Sequence, residues 1–173
     1  MADIKIKYPA SSANTVALTI SLASLASSTT RLGGRESTAV DNTTNVDLDH
    51  LLSGKIRVGT SPTASKLIEV WAYAPISIAG GTPVYPDVLD GTDSDETLTS
   101  ENVKNSALRL VWSTLTDSTS DRDYFIPPTS IAALFGELPP YWGIFVTHDT
   151  GVALNSTGGN HALHYHRVQR QSV

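Results

Sequence analysis

Between Thr15 and Leu22 the chain alternates: Val16, Leu18, Ile20 and Leu22 are large and apolar, and the residues between them are small or carry hydroxyls. A period of two is the spacing of one strand face, so this segment is predicted to be a half-buried strand. Val46, Leu48 and Leu52 mark a second strand, broken at Ser53-Gly54 and resumed as Lys55-Ile56-Arg57-Val58. Lys66 to Tyr73 is the third. Its Ile68, Val70 and Ala72 share one face, and Leu67, Glu69, Trp71 and Tyr73 share the other. Two largely apolar faces predict a central strand covered on both sides, or one whose outer face meets another chain. Ser106–Trp112, Tyr124–Ile126, Tyr141–His148 and His161–Gln169 bring the tally to six to eight strands.

The punctuation between these runs is rich in Gly, Pro, Asn and Ser, which sets turns rather than long connections. Thr129 and Ser130 before Ile131, and Gly136 after Phe135, are hydroxyl N-cap and glycine C-cap around one and a half helical turns. A helix this short is held by packing Ile131, Leu134 and Phe135 against the sheet. Arg31–Asn45 reads as a long loop or arm, and residues 75–101 as an excursion rather than a packed element, because neither has a repeating apolar pattern. Gly33-Gly34 and Gly80-Gly81 read as turn glycines. The expectation is one all-β domain: an antiparallel β-sandwich of the jelly-roll type with one short helix and an extended N-terminal segment. Residues 1–45 form a strand plus loop or arm, at least partly integrated in the body, and residues 46–173 form the sandwich body.

Composition narrows the function. Seventeen acidic against twelve basic residues give −5, which offers no electrostatic footprint for nucleic acid or an anionic membrane. No apolar run has the length of a secretory signal or a membrane span, so synthesis and folding in the cytoplasm are expected. Without cysteine, stability rests on packing, metals or oligomerisation rather than disulfides. Only 17% of residues are charged, which suits a surface largely covered by neighbours.

Candidate chemistry is sparse. His161, His164 and His166 fall within six residues, and in a strand His164 and His166 share a face. They could hold zinc or nickel only with a further ligand such as His50, His148, Asp47 or Asp49; a wet or interfacial strand face explains them more simply. Asp90, Asp93, Asp95 and Glu96 have oxygens enough for calcium but lack the spacing of a calcium loop. No serine stands in a nucleophile elbow, and no glycine pair has phosphate-loop context. Trp71, Trp112, Trp142 and Tyr141 could stack on sugars, but large aromatics on strands are more simply core or interface residues. No catalytic residue and no cofactor is expected.

The strings Arg35–Asn45, Leu52–Ile56 with Gly59–Thr63 and Glu69–Tyr73, and Leu138–Val146 followed by Asp149–Gly151 and Gly158–Asn160 resemble a family of small virion structural proteins of tailed bacteriophages. The likeness runs from about residue 15 to residue 169 and rests on phrase order, not on a functional motif. It implies an auxiliary capsid protein, made in the host cytoplasm and carried on the capsid surface, that cements or decorates the head as a homotrimer bound to the major capsid protein. Nucleic acid and membrane are not expected partners. The contact residues expected on this reading are Arg31, Arg35, Glu36, Asp41 and Asn42 in the arm, and Trp71, Tyr141 and Trp142 on aromatic strand faces, since Arg and aromatic anchors dominate such contacts. A tail or baseplate module that binds host glycan is the alternative, followed by a metal-dependent enzyme built on His164 and His166.

Overall fold

The computed structural model describes residues 4–9 and 14–172. Thirteen strands are described: β1 (Ile4–Lys7), β2 (Thr15–Ala17), β3 (Gly33–Glu36), β4 (Val40–Asp41), β5 (Asp49–Arg57), β6 (Leu67–Tyr73), β7 (Ser77–Ala79), β8 (Thr82–Val84), β9 (Asp95–Thr97), β10 (Arg109–Leu115), β11 (Asp123–Ser130), β12 (Tyr141–His148) and β13 (Ala162–Ser172). Two α-helices accompany them, α1 (Glu101–Ala107) and α2 (Ile131–Phe135). The first sheet runs β1-β13-β5-β11 with β2 also on β13; the second runs β10-β6-β12-β3-β9 with β4 also on β12. β7 and β8 form a separate hairpin. Every pairing is antiparallel.

The pairings nest. β2 joins β13, β3 joins β12, β5 joins β11 and β6 joins β10, so the chain closes from its outermost strands inward. β13–β5 and β12–β6 contacts then knit the pairs into two sheets. Leu52, Ile56, Ile126, Leu163 and Tyr165 from the first sheet meet Ile68, Val70, Ala72, Trp142, Ile144 and Val146 from the second in one buried cluster. Each such large aliphatic side chain contributes about 1.5–3 kcal/mol by leaving water, so the two facing sheets are held by their inner residues.

Two stretches without a readable period are built into the body. Residues 31–45, expected as a loop or arm, supply β3 and β4 of the second sheet. Gly33 and Gly34 are strand residues, not turn residues, and Gly34 is bare for a reason: a Cβ there would strike the Val146 carbonyl and the Phe145 ring. Residues 75–101 are likewise packed. Tyr85, Leu89 and Leu98 join Tyr73, Leu108 and Phe145 in a second apolar cluster. That excursion covers the outer face of β6, which explains why both faces of Leu67–Tyr73 are apolar.

The expected helix is α2, with Ser130 Oγ accepting from the Ala133 amide and Gly136 left-handed at φ +88°. The unforeseen one is α1. Ser100 caps it, its Oγ accepting the Val103 amide, and it occupies the start of the run expected to be the strand Ser106–Trp112. The strand itself begins at Arg109.

Strand directions gather several connections at one end of the sandwich. β6 finishes at Tyr73 opposite Gly143, near the start of β12, and β12 starts at Tyr141 opposite Asp41, the end of β4. β5 starts at Asp49 opposite Val168, after which β13 continues with only β1 beside it. The 42–48 loop, the β7–β8 hairpin and the β1–β13 ribbon therefore share that end.

Candidate functional site

Most of the charged residues singled out from the sequence hold the fold together. Arg31 lies under α1, its Nε 3.0 Å from Glu69 Oε1 and its NH1 3.1 Å from Asp149 Oδ2. Glu69 also accepts from Lys104 Nζ at 3.2 Å and from the Trp71 indole at 3.0 Å. Lys104 is only 1% exposed and stands 5.2 Å over the Trp71 ring. Arg31 and Trp71, expected as contact residues, are thus partners in a network that pins the helix to the sheet. A buried ammonium is tolerated because its charge is paired with Glu69 and it donates to that carboxylate and to the Arg31 carbonyl.

Arg35 grips the 93–95 turn, reaching Asp93 at 2.7 Å and Asp95 at 3.1 Å. Bonding to Asp93 raises the guanidinium further above its ordinary value. The acidic loop considered for calcium is occupied this way, and Asp90 instead accepts from Thr92. Glu36 is fully buried and accepts from the Asp90 and Gly91 amides and the Ser94 hydroxyl. Burial pushes its carboxyl up, against the lowering effect of the amide bonds. Glu36 is therefore a post on which the loop closes, not a surface contact.

Asn42 is buried as well. Its Oδ1 accepts the Asp47 amide at 2.8 Å and its Nδ2 donates to the Asp47 carbonyl at 3.1 Å. This clamp holds Val46 at φ +50° with its side chain 74% exposed. A β-branched residue in the left-handed region costs about 1–3 kcal/mol and persists only when its surroundings impose it. Asp41 is exposed and caps the same turn through Thr43.

Trp142, expected at an interface, sits in the closed core with no exposure. Its indole donates to His50 Nδ1 at 2.9 Å, and His50 Nε2 lies 2.9 Å from Asp47 Oδ2. Asp47 also receives Arg167 at 2.7 and 3.1 Å and Gln169 at 2.7 Å. Burial alone would raise the Asp47 carboxyl, but the bonds from Arg167, His50 and Gln169 bring it below its ordinary value. Burial lowers His50. The sequence singled out Asp47 and His50 as ligand sources for a metal; the structure pairs them with each other and ties β13 to the 42–48 loop. Tyr141 is half-buried at the start of β12.

The two candidate metal-ligand histidines lie on β13. His166 Nδ1 is 2.9 Å from Thr15 Oγ1 and its Nε2 is 3.2 Å from Ser53 Oγ; His164 is half-buried opposite Ala17 and Ser53. His148 is buried, its Nε2 3.1 Å from the Leu25 carbonyl and its Nδ1 2.9 Å from Thr150 Oγ1. Among the described residues, no three His, Asp or Glu side chains gather in a metal-holding group. The aromatic sugar platform is not assembled either, because Trp142 is enclosed and Trp71 lies beneath Lys104.

What remains without internal partners collects at the end described above. Among the described residues, eight of the eleven exposed large apolar side chains are there: Ile4, Ile6 and Tyr8 on the ribbon, Val46 on its clamped loop, and Ile76, Ile78, Val84 and Val88 on and beside the hairpin. A concavity of about 480 Å³ separates the Val46 loop from Gln169 and Arg170. Concentrated exposed apolar surface rimmed by charge is the physical mark of an interaction site. The sequence pattern did not locate it, because Ile4-Lys5-Ile6-Lys7 and Ser77–Val84 are too short to read as strands.

No helix among the described residues is long and apolar enough to cross a membrane. Comparison with known proteins finds no matching family model, no matching curated protein and no matching solved structure.

Proposed function

We propose that this chain is an auxiliary capsid protein of a tailed bacteriophage, one that cements or decorates the head by bridging major capsid subunits and that works as a homotrimer on the capsid surface. The observation that carries the reading is the nested strand pairing. Numbering the eight nested strands from β2 to β13 in chain order, the sheets read 1-8-3-6 and 2-7-4-5, an order that supports reading the sandwich as a jelly roll, an architecture used by viral capsid domains as well as lectins and cupins. Fold alone does not assign function. Two further points favour the capsid use over the others. The internal charges are spent on one another, and the exposed apolar residues converge on one end, as expected of a rigid block that grips protein.

A cement protein acts by adding buried area across the joints between capsomers, so that opening the shell must first break those contacts. Many copies make a modest individual contribution sufficient, and binding is coupled to shell stability by mass action. A glycan-binding tail module, the competing reading, is less well supported because the Trp side chains face inward or lie under Lys104.

The experiment is co-sedimentation of the purified chain with phage heads that lack it. Saturable attachment and slower heat-induced release of DNA are expected; absence of attachment, together with a response on a glycan array, overturns the capsid reading. Deleting residues 1–45 is not a usable probe of an arm, because β2, β3 and β4 belong to both sheets. Deleting residues 4–9 removes β1 and leaves β2, β3 and β4 in place.

A further inference from the structure

The surface that converges on one end is divided by charge. β1 and the last residues of β13 form a two-stranded ribbon in which Ile4 and Ile6 share a face with Arg170, while Lys5 and Lys7 share the other with Gln169 and Gln171. Lys5, Lys7 and Arg170 make no ion pair among the described residues, and no acidic residue interrupts 4–9 or 169–172. The ribbon is basic and apolar although the chain carries −5.

The opposite character is found around the hairpin. Ile76, Ile78, Val84 and Val88 are exposed there, and Asp41, Asp87 and Asp90 are exposed, acidic and without an ion pair among the described residues. Tyr85, which follows the hairpin, packs edge-on against Tyr73 at 5.4 Å and so holds the hairpin to the end of β6. Its phenol is pushed up to about 12 by burial and by the nearby Tyr141, Glu36 and Asp41, the last of which pairs with Tyr141 at the start of β12.

Each element is also incomplete by itself. A two-stranded ribbon or hairpin with both edges open is marginal in water and gains from further strands or an apolar cover. Among the described residues, no hydrogen bond or ion pair joins ribbon to hairpin within one chain.

We infer that the basic ribbon of one copy docks on the acidic hairpin end of a second copy of this chain. The Ile4–Ile6 face supplies the buried area and its Arg170 opposes Asp41, Asp87 and Asp90, while Lys5 and Lys7 on the other face add longer-range attraction to the same acidic end, which fixes orientation. Because the two surfaces differ, the contact is heterologous, and repeated around an axis it closes into a ring. The Val46 loop, stiffened by Asn42 and Asp47, stands beside the ribbon and limits the angles at which a neighbour can enter. The inference does not depend on what the ring is attached to.

The test uses the full chain and two paired variants, Lys5→Glu with Lys7→Glu and Ile76→Lys with Val84→Lys. All four positions are exposed, so each variant folds, as circular dichroism checks. In sedimentation velocity the wild type forms a salt-sensitive closed oligomer, and each variant alone associates at least about tenfold more weakly, the scale on which like charges oppose a contact. A monomeric wild type, or an oligomer indifferent to both changes, overturns the inference. So does a ribbon variant that stays oligomeric but no longer binds phage heads, because that outcome gives the ribbon to the capsid protein instead.

Discussion

The Trp142 indole donates its only proton to His50 Nδ1 at 2.9 Å, inside the closed space between the sheets. An imidazole that accepts at Nδ1 carries its proton at Nε2 when neutral, and that nitrogen faces Asp47 Oδ2 at 2.9 Å. One bond thus selects the tautomer that makes the other. Nitrogen NMR is expected to find His50 as the Nε2–H form at neutral pH, with an exchange-protected proton. Trp142→Phe removes the donor and leaves a void; a loss of about 2–4 kcal/mol in urea unfolding is expected from the unpaired acceptor and the lost packing together.

Acid stability follows from the same burial. His50, His148 and His161 are all held below the ordinary imidazole value, in each case chiefly by desolvation. In the unfolded chain they take up protons near about pH 6.5, whereas the folded protein resists doing so. The unfolded state then binds more protons, so stability is level above about pH 6.5 and falls below it. Glu36 acts in the opposite sense, since its raised carboxyl protonates first in the folded state, and it offsets part of the loss toward its ordinary value of about 4.3. Urea midpoints measured from about pH 8 to 5 check the sign, and a midpoint that rises on acidification contradicts it.

Lys104→Met tests the pinning of α1. The change removes the ammonium from Glu69 and from the Arg31 carbonyl, leaving a carboxylate that is almost enclosed. Breaking one side of a buried pair costs about 3–5 kcal/mol, but Arg31 and Trp71 still serve Glu69, so about 3 kcal/mol is expected. Restoration of stability by adding Glu69→Gln, measured as a double-mutant cycle, distinguishes the charge effect from lost packing.

The sheet spacing at Gly34 is equally direct. Gly34→Ala sets a methyl against the Val146 carbonyl and the Phe145 ring, and backbone cannot yield as a flexible side chain can. A loss of about 1–3 kcal/mol is expected, with hydrogen exchange quickened at β3 and β9 and little changed at β5.

The strands most visible in the sequence are those with an alternating face or a dense apolar run. Val16 to Leu22 and Ile144 to His148 show their burial through alternation or apolar density, and the Ser130 and Gly136 caps disclose α2. Val16-Ala17 lies in a three-residue strand, however, and Leu18, Leu22 and Leu25 continue as core without regular structure, because an alternating run can bury its side chains without a partner ladder. β3 was illegible for a different reason: two glycines carry no pattern, and its remaining residues, Arg35 and Glu36, are polar groups satisfied from a loop 60 residues away. The network around Asp47 could not be read either, since it joins residues 120 apart in the chain. Isolated charges in low-pattern segments look like surface until their partners are placed.

Because β13 is the interior strand between β2 and β5, the first sheet cannot be completed until that strand has been synthesised. Everything ahead of Ala162 must emerge and wait with a gap in its middle, and the closing insertion spans nearly the whole chain. Such high contact order makes for slow folding and leaves apolar edges open to wrong partners in the interval. A nascent chain stalled before this strand is thus the species with most to gain from a chaperone, and emergence of Ala162–Ser172 is the step that lets the structure shut.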